Sequence, residues 1–312
     1  MKALILMNMG GAESKQDLKM FLTNMFNDKY ILTIKFKFLR SMIASFIVKS
    51  RLNSAWEHYE EIGGKSPIND ITKSLVAKVQ NLLPDTKVVW LMRYTHPRVE
   101  EIVNDLKKSG VKEVVLMPLY PQFSTTTSLS SLEDFTDFAK NSFETKKIKP
   151  FYKSDEYNEI CAKLISETLA DDSAGEFDLI FSAHGLPQKV VDAGDPYQKQ
   201  IEKHAKLITQ KLKRNGLFFK STNLAYQSKV GPLKWLEPSL EQCLENFKSK
   251  KVIIFPIAFT IDNSETVFEL SVEYKEIADK LSIADYRVCK CPNDSDDFAH
   301  FIKNVYLHTR KI

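Results

Sequence analysis

Residues 178–187 read Asp-Leu-Ile-Phe-Ser-Ala-His-Gly-Leu-Pro, and they combine a predicted strand with the turn that ends it. Asp178–Ala183 is largely apolar and does not alternate with polar residues, which is typical of a strand in a parallel sheet covered by helices on both faces. His184 and Gly185 follow directly, and glycine at such a place predicts a turn. We therefore expect the chain to leave a sheet at its carboxyl edge, with His184 at that edge.

Five further segments have the same apolar, non-alternating composition: Ala3–Met9, Lys87–Met92, Glu113–Leu119, Asn223–Tyr226 and Lys251–Ile257. Charged stretches with helical spacing lie between them, at Glu100–Lys108, Asn158–Leu169 and Tyr197–Arg214. Strands that alternate with helices predict the α/β class, with wound parallel sheets flanked by helices. Ligands of such sheets bind beyond the carboxyl ends of the strands.

The chain has 312 residues, which suits two domains of about 150 residues each. Residues 115–119 (Val-Leu-Met-Pro-Leu) are similar to residues 253–257 (Ile-Ile-Phe-Pro-Ile), so the two halves echo each other. Lysines and a proline interrupt the pattern near Lys146–Phe151, and we place the domain boundary there. We predict an N-terminal domain at residues 1–148, a C-terminal domain at residues 149–291 and a C-terminal segment at residues 292–312.

Composition excludes several classes of protein. With 43% hydrophobic residues, 27% charged residues and a net charge of +4, the chain is globular, and it has no Lys/Arg block that would favour nucleic-acid binding. Its four cysteines are too few for a disulfide framework and favour a reduced, cytosolic setting. Only Cys289 and Cys291 are close, so we expect no iron–sulfur cluster. The amino-terminal apolar run is too short for a signal peptide, and no run approaches the roughly 20 apolar residues of a transmembrane helix.

His184 is the histidine whose position favours chemistry. At a strand end it could act as a general base or a metal ligand, because imidazole exchanges its proton near physiological pH. A histidine that only hydrogen-bonds within the turn is the structural alternative. We place the remaining histidines on the surface, since they lie in polar or helical contexts: His58, His96, His204, His300 and His308.

Glu265, Glu269 and Glu273 follow one another at steps of four residues. In an α-helix they fall on nearly one face, where carboxylates repel each other unless a cation lies near. A solvated acidic face explains this spacing as well as a route for cations does. The apolar residues between the glutamates favour the route, because they leave the helix little surface for solvent.

Motifs of other α/β enzymes are missing. Gly10-Gly11 and Gly63-Gly64 match neither the dinucleotide-binding nor the P-loop pattern, which disfavours a dehydrogenase or an NTPase. No G-x-S-x-G elbow of a serine hydrolase is present.

Taken in order, segments spread over nearly the whole chain resemble the ferrochelatase family. They are Leu6–Gly10, Phe21-Leu22, Asp28, Ile62–Ile68, Met92–Tyr94, Pro118–Ser124, Ser182–Pro187, Tyr226–Pro232 with Trp235-Leu236, Asp262–Tyr274 and Asn293-Asp294. The resemblance implies two Rossmann-like domains with a porphyrin in the cleft between them, and residues 292–312 packed back on the first domain. It implies Fe²⁺ as a substrate and no prosthetic group.

The resemblance also implies that His184 and Glu265 face each other across the macrocycle, each as a proton acceptor or iron ligand. Fe²⁺ accepts both imidazole and carboxylate ligands, so the side of iron entry stays open. An apolar cleft would pucker the ring and expose its nitrogen lone pairs. The candidates to line that cleft are Met9, Met25, Phe26, Phe123, Ile257 and Phe259.

Two positions depart from the family pattern. Asn263 stands where the family has a histidine two residues before the glutamate, and asparagine neither accepts a proton nor ligates iron well. Lys29-Tyr30 replaces the family's arginine after the aspartate, so contacts to the porphyrin carboxylates should be arranged differently. We expect Asn263 to leave more of the metal or proton path to Glu269 and Glu273.

Three alternatives remain. The porphyrin is protoporphyrin IX in our main interpretation, with coproporphyrin as the alternative. A cobalt chelatase of the corrin or sirohaem branch would have a related fold, but the Ile62–Ile68 and Tyr226–Pro232 segments favour a ferrochelatase. A porphyrin carrier without turnover would lack the acid–base residues, yet His184 and Glu265 are both present.

Residues 30–52 alternate apolar side chains with lysine and arginine. Such a basic amphipathic stretch can lie on an anionic membrane surface, although a core-packed helix with solvated lysines has the same pattern. We expect a cytoplasmic protein with peripheral contact to the inner face of the cell membrane through this stretch.

Overall fold

The computed structural model describes residues 1–229, 231, 233–247 and 250–311, and within these the chain forms two compact units. The first unit comprises Met1–Tyr120, Ser124–Lys149 and Asp294–Ile312, and the second comprises Pro121–Phe123 and Pro150–Asn293. Val230 and Pro232 of the family-like segment lie outside the described residues. Each unit is built around its own parallel sheet.

The first unit contains a four-stranded sheet in the order β2-β1-β3-β4. Its strands are β1 (Lys2–Asn8), β2 (Thr86–Met92), β3 (Glu113–Pro118) and β4 (Glu144–Lys147). Its helices are α1 (Lys15–Asn27), α2 (Lys37–Glu61), α3 (Ile68–Leu82), α4 (Val99–Lys108), α5 (Ser130–Ala139) and α11 (Asp296–Lys311), with a π-helical segment at Thr125–Leu129. All pairings are parallel, with Leu4 of β1 opposite Val88 and Val115.

The central strand β1 explains why this sheet forms. Ala3–Leu6 have no exposed surface, because helices cover both faces of the strand. On one face, Ile5 and Leu116 pack with Val103 of α4 and Phe135 of α5. Each such side chain contributes about 2 kcal/mol through the apolar surface it removes from water.

The second unit repeats the plan with a sheet in the order β6-β5-β7-β8. Its strands are β5 (Phe177–His184), β6 (Ser221–Gln227), β7 (Lys251–Pro256) and β8 (Asp285–Val288). Its helices are α6 (Asp155–Leu169), α7 (Gln188–Asp192), α8 (Tyr197–Arg214), α9 (Leu240–Glu245) and α10 (Tyr274–Lys280), with a short 3₁₀ turn at Ala174–Glu176 and a π-helical segment at Glu265–Glu273. Ile180 and Ile254 of this sheet pack against Leu270 of the π-helical segment.

The predicted fold class is confirmed, and all six predicted strands form. The sequence missed the edge strands β4 and β8, whose residues are partly exposed and mostly polar. Neither strand has a buried residue, and both therefore lack the apolar run by which the others were recognised.

Residues 121–123 belong to the second unit, although the sequence on both sides of them belongs to the first. The Gln122 side chain donates to the Ile257 carbonyl at 3.0 Å and lies 2.7 Å from Nδ1 of His204. The Phe123 N–H donates to Gln200 of α8 at 2.8 Å. This segment is therefore held by helix α8.

His204 corrects one prediction, because it has no exposed surface. It lies on the face of α8 that also buries Ile201 and Ile208. Burial lowers the pKa of His204 to about 3, so this histidine is neutral in the folded protein. The spacing of Ile201, His204 and Ile208 could have identified the buried face in the sequence.

Helix α11 belongs to the first unit and packs on α3. Ser74 of α3 donates to Asp294 at 2.5 Å, and Lys78 pairs with Asp296 at 2.9 Å. Tyr306 of α11 shares a buried hydrogen bond of 3.0 Å with Thr86 at the start of β2.

No helix among the described residues is long and apolar enough to cross a membrane.

Candidate active site

His184 and Glu265 form a direct pair in the second unit. Nδ1 of His184, the last residue of β5, lies 2.8 Å from Oε2 of Glu265, the first residue of the π-helical segment. The Tyr197 hydroxyl at the start of α8 donates to the His184 carbonyl at 3.0 Å and holds the strand end. Both members of the pair keep a surface to solvent, with 37% of the His184 side chain and 28% of the Glu265 side chain exposed.

The sequence analysis expected these two side chains on opposite faces of a macrocycle. In the structure they are hydrogen-bonded, and this contact leaves no room for a ring between them. A macrocycle can lie between His184 and Glu265 only after their hydrogen bond opens.

Electrostatics keep His184 protonated at neutral pH. Burial by itself lowers the pKa of an imidazole, but the charge and hydrogen bond of Glu265, with the charge of Glu269, outweigh burial and raise the pKa of His184 from 6.5 to about 9. The protonated ring donates from Nδ1 to the carboxylate. A proton on His184 can therefore pass to Glu265 through an existing hydrogen bond.

The glutamate row lies on a π-helical segment instead of the α-helix that the sequence analysis assumed. π-Helices are rare and frequently occur at functional sites. Leu270 anchors the segment in the core, while Tyr286 donates to the Leu270 carbonyl at 2.8 Å. The apolar periodicity of the sequence does not distinguish a π-helix from an α-helix, because both bury a face repeated about every four residues.

Asn263 precedes this segment and binds its first residue. Its Oδ1 accepts the Glu265 N–H at 2.8 Å, and its Nδ2 donates to the Ile261 carbonyl at 3.1 Å. The side chain is buried, with 1% of the residue exposed. Asn263 thus orients the first turn that carries Glu265, and its amide is engaged in local hydrogen bonds.

Glu269 lies behind the pair and Glu273 lies beyond it at the surface. Oε2 of Glu269 accepts hydrogen bonds from Ser228 at 2.6 Å and Gln227 at 3.0 Å. Burial and the charge of Glu265 raise the pKa of Glu269 from 4.5 to about 7, against the opposing effect of its hydrogen bonds. Glu273 is exposed. The row therefore runs from the pair at Glu265 to solvent at Glu273.

The raised pKa of Glu269 predicts a pH-dependent stability. As pH rises from 4.5 to 7, the folded state holds a proton at Glu269 that the unfolded state releases, so stability falls over this range. Glutamine does not ionise and avoids this loss. We expect Glu269→Gln to raise the free energy of unfolding by about 2 kcal/mol near pH 8 and to have little effect near pH 5.

Denaturant unfolding at both pH values measures this effect. Glu276→Gln, at an exposed position on α10, is the control and should leave stability unchanged at either pH. A Glu269→Gln protein that is no more stable than the wild type near pH 8 would contradict the expectation.

The sequence analysis missed three residues of this site: Tyr197, Gln227 and Ser228. Gln227 ends β6 beside His184 of β5, since the two residues are partners in the parallel register. Their position directly after an apolar strand is the same signal that identified His184. Tyr197 lies at a helix start and has no such signal in the sequence.

The six candidate cleft residues are divided between the two units. Met9 and Met25 are half-buried in the first unit. Phe26 of α1 is buried in the apolar cluster that α1 and α2 form. In the second unit Phe123 and Phe259 are half-buried, and Ile257 is buried. Phe26 and Ile257 therefore offer little free surface to a ligand in this state.

Lys29, which with Tyr30 stands in place of the family arginine, and the preceding Asp28 both have charged or polar partners. Lys29 pairs with Glu133 at 2.8 Å. Asp28 is buried and accepts hydrogen bonds from Tyr94 at 3.0 Å and Arg93 at 3.2 Å, and also from Ser130. The charge of Lys29 is therefore already balanced within the first unit.

Within the described part of the chain, no group of three or more His, Cys, Asp or Glu side chains is arranged to hold a metal ion. The four cysteines are free and buried.

Comparisons with known proteins bear on the family and the fold of this chain. A family model described as Ferrochelatase matches residues 1–309. A protein named Ferrochelatase from Sulfurimonas denitrificans is 48% identical over 99% of both chains, and one from Wolinella succinogenes is 50% identical over 96% of both. The sirohydrochlorin chelatase SirB from Bacillus subtilis subspecies spizizenii, solved in complex with cobalt, has a TM-score of 0.58 at 10% identity, covering 99% of this chain and 94% of that one, and shows the likeness of fold alone. The chain belongs to the ferrochelatase family.

Proposed function

We propose that this protein inserts Fe²⁺ into protoporphyrin IX and so forms haem, as a lyase of the ferrochelatase type. The observation that carries the proposal is the His184–Glu265 pair at the carboxyl edge of a parallel sheet, with Glu269 behind it. Parallel α/β sheets bind their ligands at this edge. The pair supplies the imidazole and carboxylate that iron insertion needs.

The reaction replaces two pyrrole protons of the macrocycle by Fe²⁺, so it needs proton acceptors and ligands for the metal. Glu265 takes up a proton or holds the iron as it enters. Before the ring enters, His184 passes its own proton to Glu265 through their hydrogen bond, and that proton leaves to solvent along the glutamate row. His184 can then accept one pyrrole proton, and Glu265, again a carboxylate, can take up the other. Glu269 and Glu273 continue the row toward solvent and carry protons outward or Fe²⁺ inward.

The macrocycle shields its nitrogen lone pairs, and binding energy from apolar contacts has to be used to pucker it. In the second unit, which carries the pair, Phe123 and Phe259 are half-buried aromatic side chains that suit such contacts. Opening of the His184–Glu265 hydrogen bond accompanies entry of the ring in this mechanism. No prosthetic group takes part in it.

Iron insertion is tested by incubating the purified protein with Fe²⁺ and, in turn, protoporphyrin IX, coproporphyrin and sirohydrochlorin, and following the visible spectrum under anaerobic conditions. We expect the highest kcat/KM with protoporphyrin IX. A preference for coproporphyrin would correct the substrate, and turnover of sirohydrochlorin alone, with Fe²⁺ or Co²⁺, would place the protein with the sirohaem chelatases. Porphyrin binding without turnover would identify a carrier.

Helix α2 supports a second proposal, peripheral contact with an anionic membrane. Its inner face packs Ala44 and Val48 against α1, as the core-packed alternative requires. Its outer face nevertheless exposes 80% of Phe38, 56% of Met42 and 74% of Phe46, which follow at steps of four. Solvated lysines do not account for large apolar side chains in water.

Basic residues flank this apolar face. They are Lys35, Lys37, Lys49 and Arg51, all exposed. An apolar face with a basic rim is the pattern of a helix that lies in the plane of an anionic bilayer surface. A cytoplasmic protein that binds the inner face of the cell membrane through α2 would lie next to the membrane in which its poorly soluble substrate, protoporphyrin IX, dissolves.

The double variant Phe38→Ser/Phe46→Ser is expected to lose most binding to phosphatidylglycerol vesicles, because it removes the apolar part of the contact. Co-sedimentation at low salt measures this, and binding of the wild type should weaken as salt is added. Phe218→Ser is the matched control, since Phe218 is 62% exposed in the second unit. Failure of the wild-type protein to co-sediment at low salt would refute the membrane proposal without affecting the proposed reaction.

A further inference from the structure

Ser228 adopts a backbone conformation that serine rarely takes. It follows β6 with φ of 66°, in the left-handed region, where a Cβ atom is strained and glycine is not. Strained backbone persists where the side chain or the surrounding structure requires it. At Ser228 the side chain has a contact that glycine cannot make, because its Oγ donates to Oε2 of Glu269 at 2.6 Å.

Gln227 provides a second donor to the same atom. Its Nε2 lies 3.0 Å from Oε2 of Glu269, and its Oε1 accepts from the Ser182 hydroxyl at 2.7 Å. A carboxylate accepts and a hydroxyl donates, so these two neighbours fix the orientation of the Gln227 amide. Two donors from consecutive residues therefore converge on one oxygen of Glu269.

These donors are tied to the strand that carries His184. Gln227 is opposite His184 in the sheet register, and its carbonyl accepts the Gly185 N–H at 2.8 Å. The Gln227 amide also lies 3.5 Å from the Glu265 carbonyl. The position of the Glu269 carboxylate is thus fixed relative to both members of the pair.

We propose that Ser228 and Gln227 are positioning residues for the reaction, which hold the Glu269 carboxylate beside the His184–Glu265 pair. The inference rests on the proposed function. Without the two donors the Glu269 side chain gains rotamer freedom, and its carboxylate is no longer kept where it receives a proton or metal ion from Glu265. The strain at Ser228 is then explained by the hydroxyl that only a non-glycine residue supplies.

Two substitutions at Ser228 separate the hydroxyl from the backbone strain. Ser228→Ala deletes the hydroxyl and keeps the strained Cβ, whereas Ser228→Gly deletes both. If the hydroxyl positions Glu269, both variants should lower kcat for iron insertion by a similar factor of about 10. The KM for porphyrin should stay near the wild-type value in both variants. Ser228→Gly should have a higher melting temperature than Ser228→Ala, because only the glycine variant relieves the backbone strain.

Ser282→Gly is the matched control. Ser282 follows α10, is exposed and has φ of 55°, so it is also a serine in the left-handed region. Ser282→Gly should have a higher melting temperature than the wild type, because it relieves the same kind of backbone strain, and it should keep the wild-type kcat. It shows that relief of backbone strain alone does not lower activity.

A fall in kcat confined to Ser228→Gly would overturn the proposal, because loop flexibility and not the hydroxyl would then matter. Wild-type kcat in both variants would overturn it as well. A crystal structure of Ser228→Ala gives a readout that needs no turnover, since we expect the Glu269 carboxylate to leave its position near Gln227. An unchanged carboxylate would reject positioning, whereas a wild type that inserts no iron would reject only the proposed function.

Discussion

His184→Ala is expected to lower kcat for iron insertion by about 100-fold or more, while the protein stays folded. The substitution removes the imidazole that accepts a pyrrole proton or ligates iron, and it breaks the 2.8 Å hydrogen bond to Glu265. Because both side chains are partly exposed, the unpaired Glu265 carboxylate can be solvated, and we expect only a small loss of stability. Steady-state kinetics and the melting temperature measure the two effects.

His308→Ala is the control for this variant, since His308 is exposed on α11 in the first unit. It should have wild-type kinetics and stability. Turnover of His184→Ala within a few-fold of the wild type, in a protein with an unchanged melting temperature, would remove His184 from the mechanism.

Glu265→Gln is expected to remove most activity, also by about 100-fold, because it deletes the charge next to the reacting centre and preserves the shape of the side chain. Glu269→Gln should lower kcat less, since Glu269 acts behind the pair. Glu273→Gln should be mildest and act mainly on the apparent KM for iron, because Glu273 lies at the solvent end of the row. Kinetics against both iron and porphyrin test this gradient.

The exposed Glu276 provides the matched control for the row, and Glu276→Gln should have wild-type constants. Wild-type iron dependence in both Glu269→Gln and Glu273→Gln would rule out a path along the row. That result would leave the function of Glu265 to be judged from its own variant.

The positions of the His184 imidazole and of the three glutamate carboxylates were partly predictable from the sequence. His184 was identified because an apolar run that ends in glycine marks the carboxyl edge of a sheet, and such an edge depends only on local composition. Glu265, Glu269 and Glu273 were recognised by their spacing alone. The π-helical geometry was not predictable, since it depends on how Leu270 packs against Ile180 and Ile254 of the sheet.

The sequence by itself determined the α/β class, because the strands of a doubly covered parallel sheet need continuous apolar runs, such as Asp178–Ala183. It did not reveal β4 and β8, whose pairing to the sheet edge depends on neighbouring strands more than on their own residues. It misplaced His204, whose environment is supplied by Gln122 and Tyr157 from distant parts of the chain.

Only the tertiary structure decided that His184 and Glu265 touch. The two residues are 81 positions apart, and their contact arises because β5 ends beside the start of the π-helical segment. Tertiary structure also brought Ser228 and Gln227 to Glu269. Local sequence fixes which side chains can react, whereas hydrogen bonds between distant segments fix their distances, and no short-range pattern encodes those.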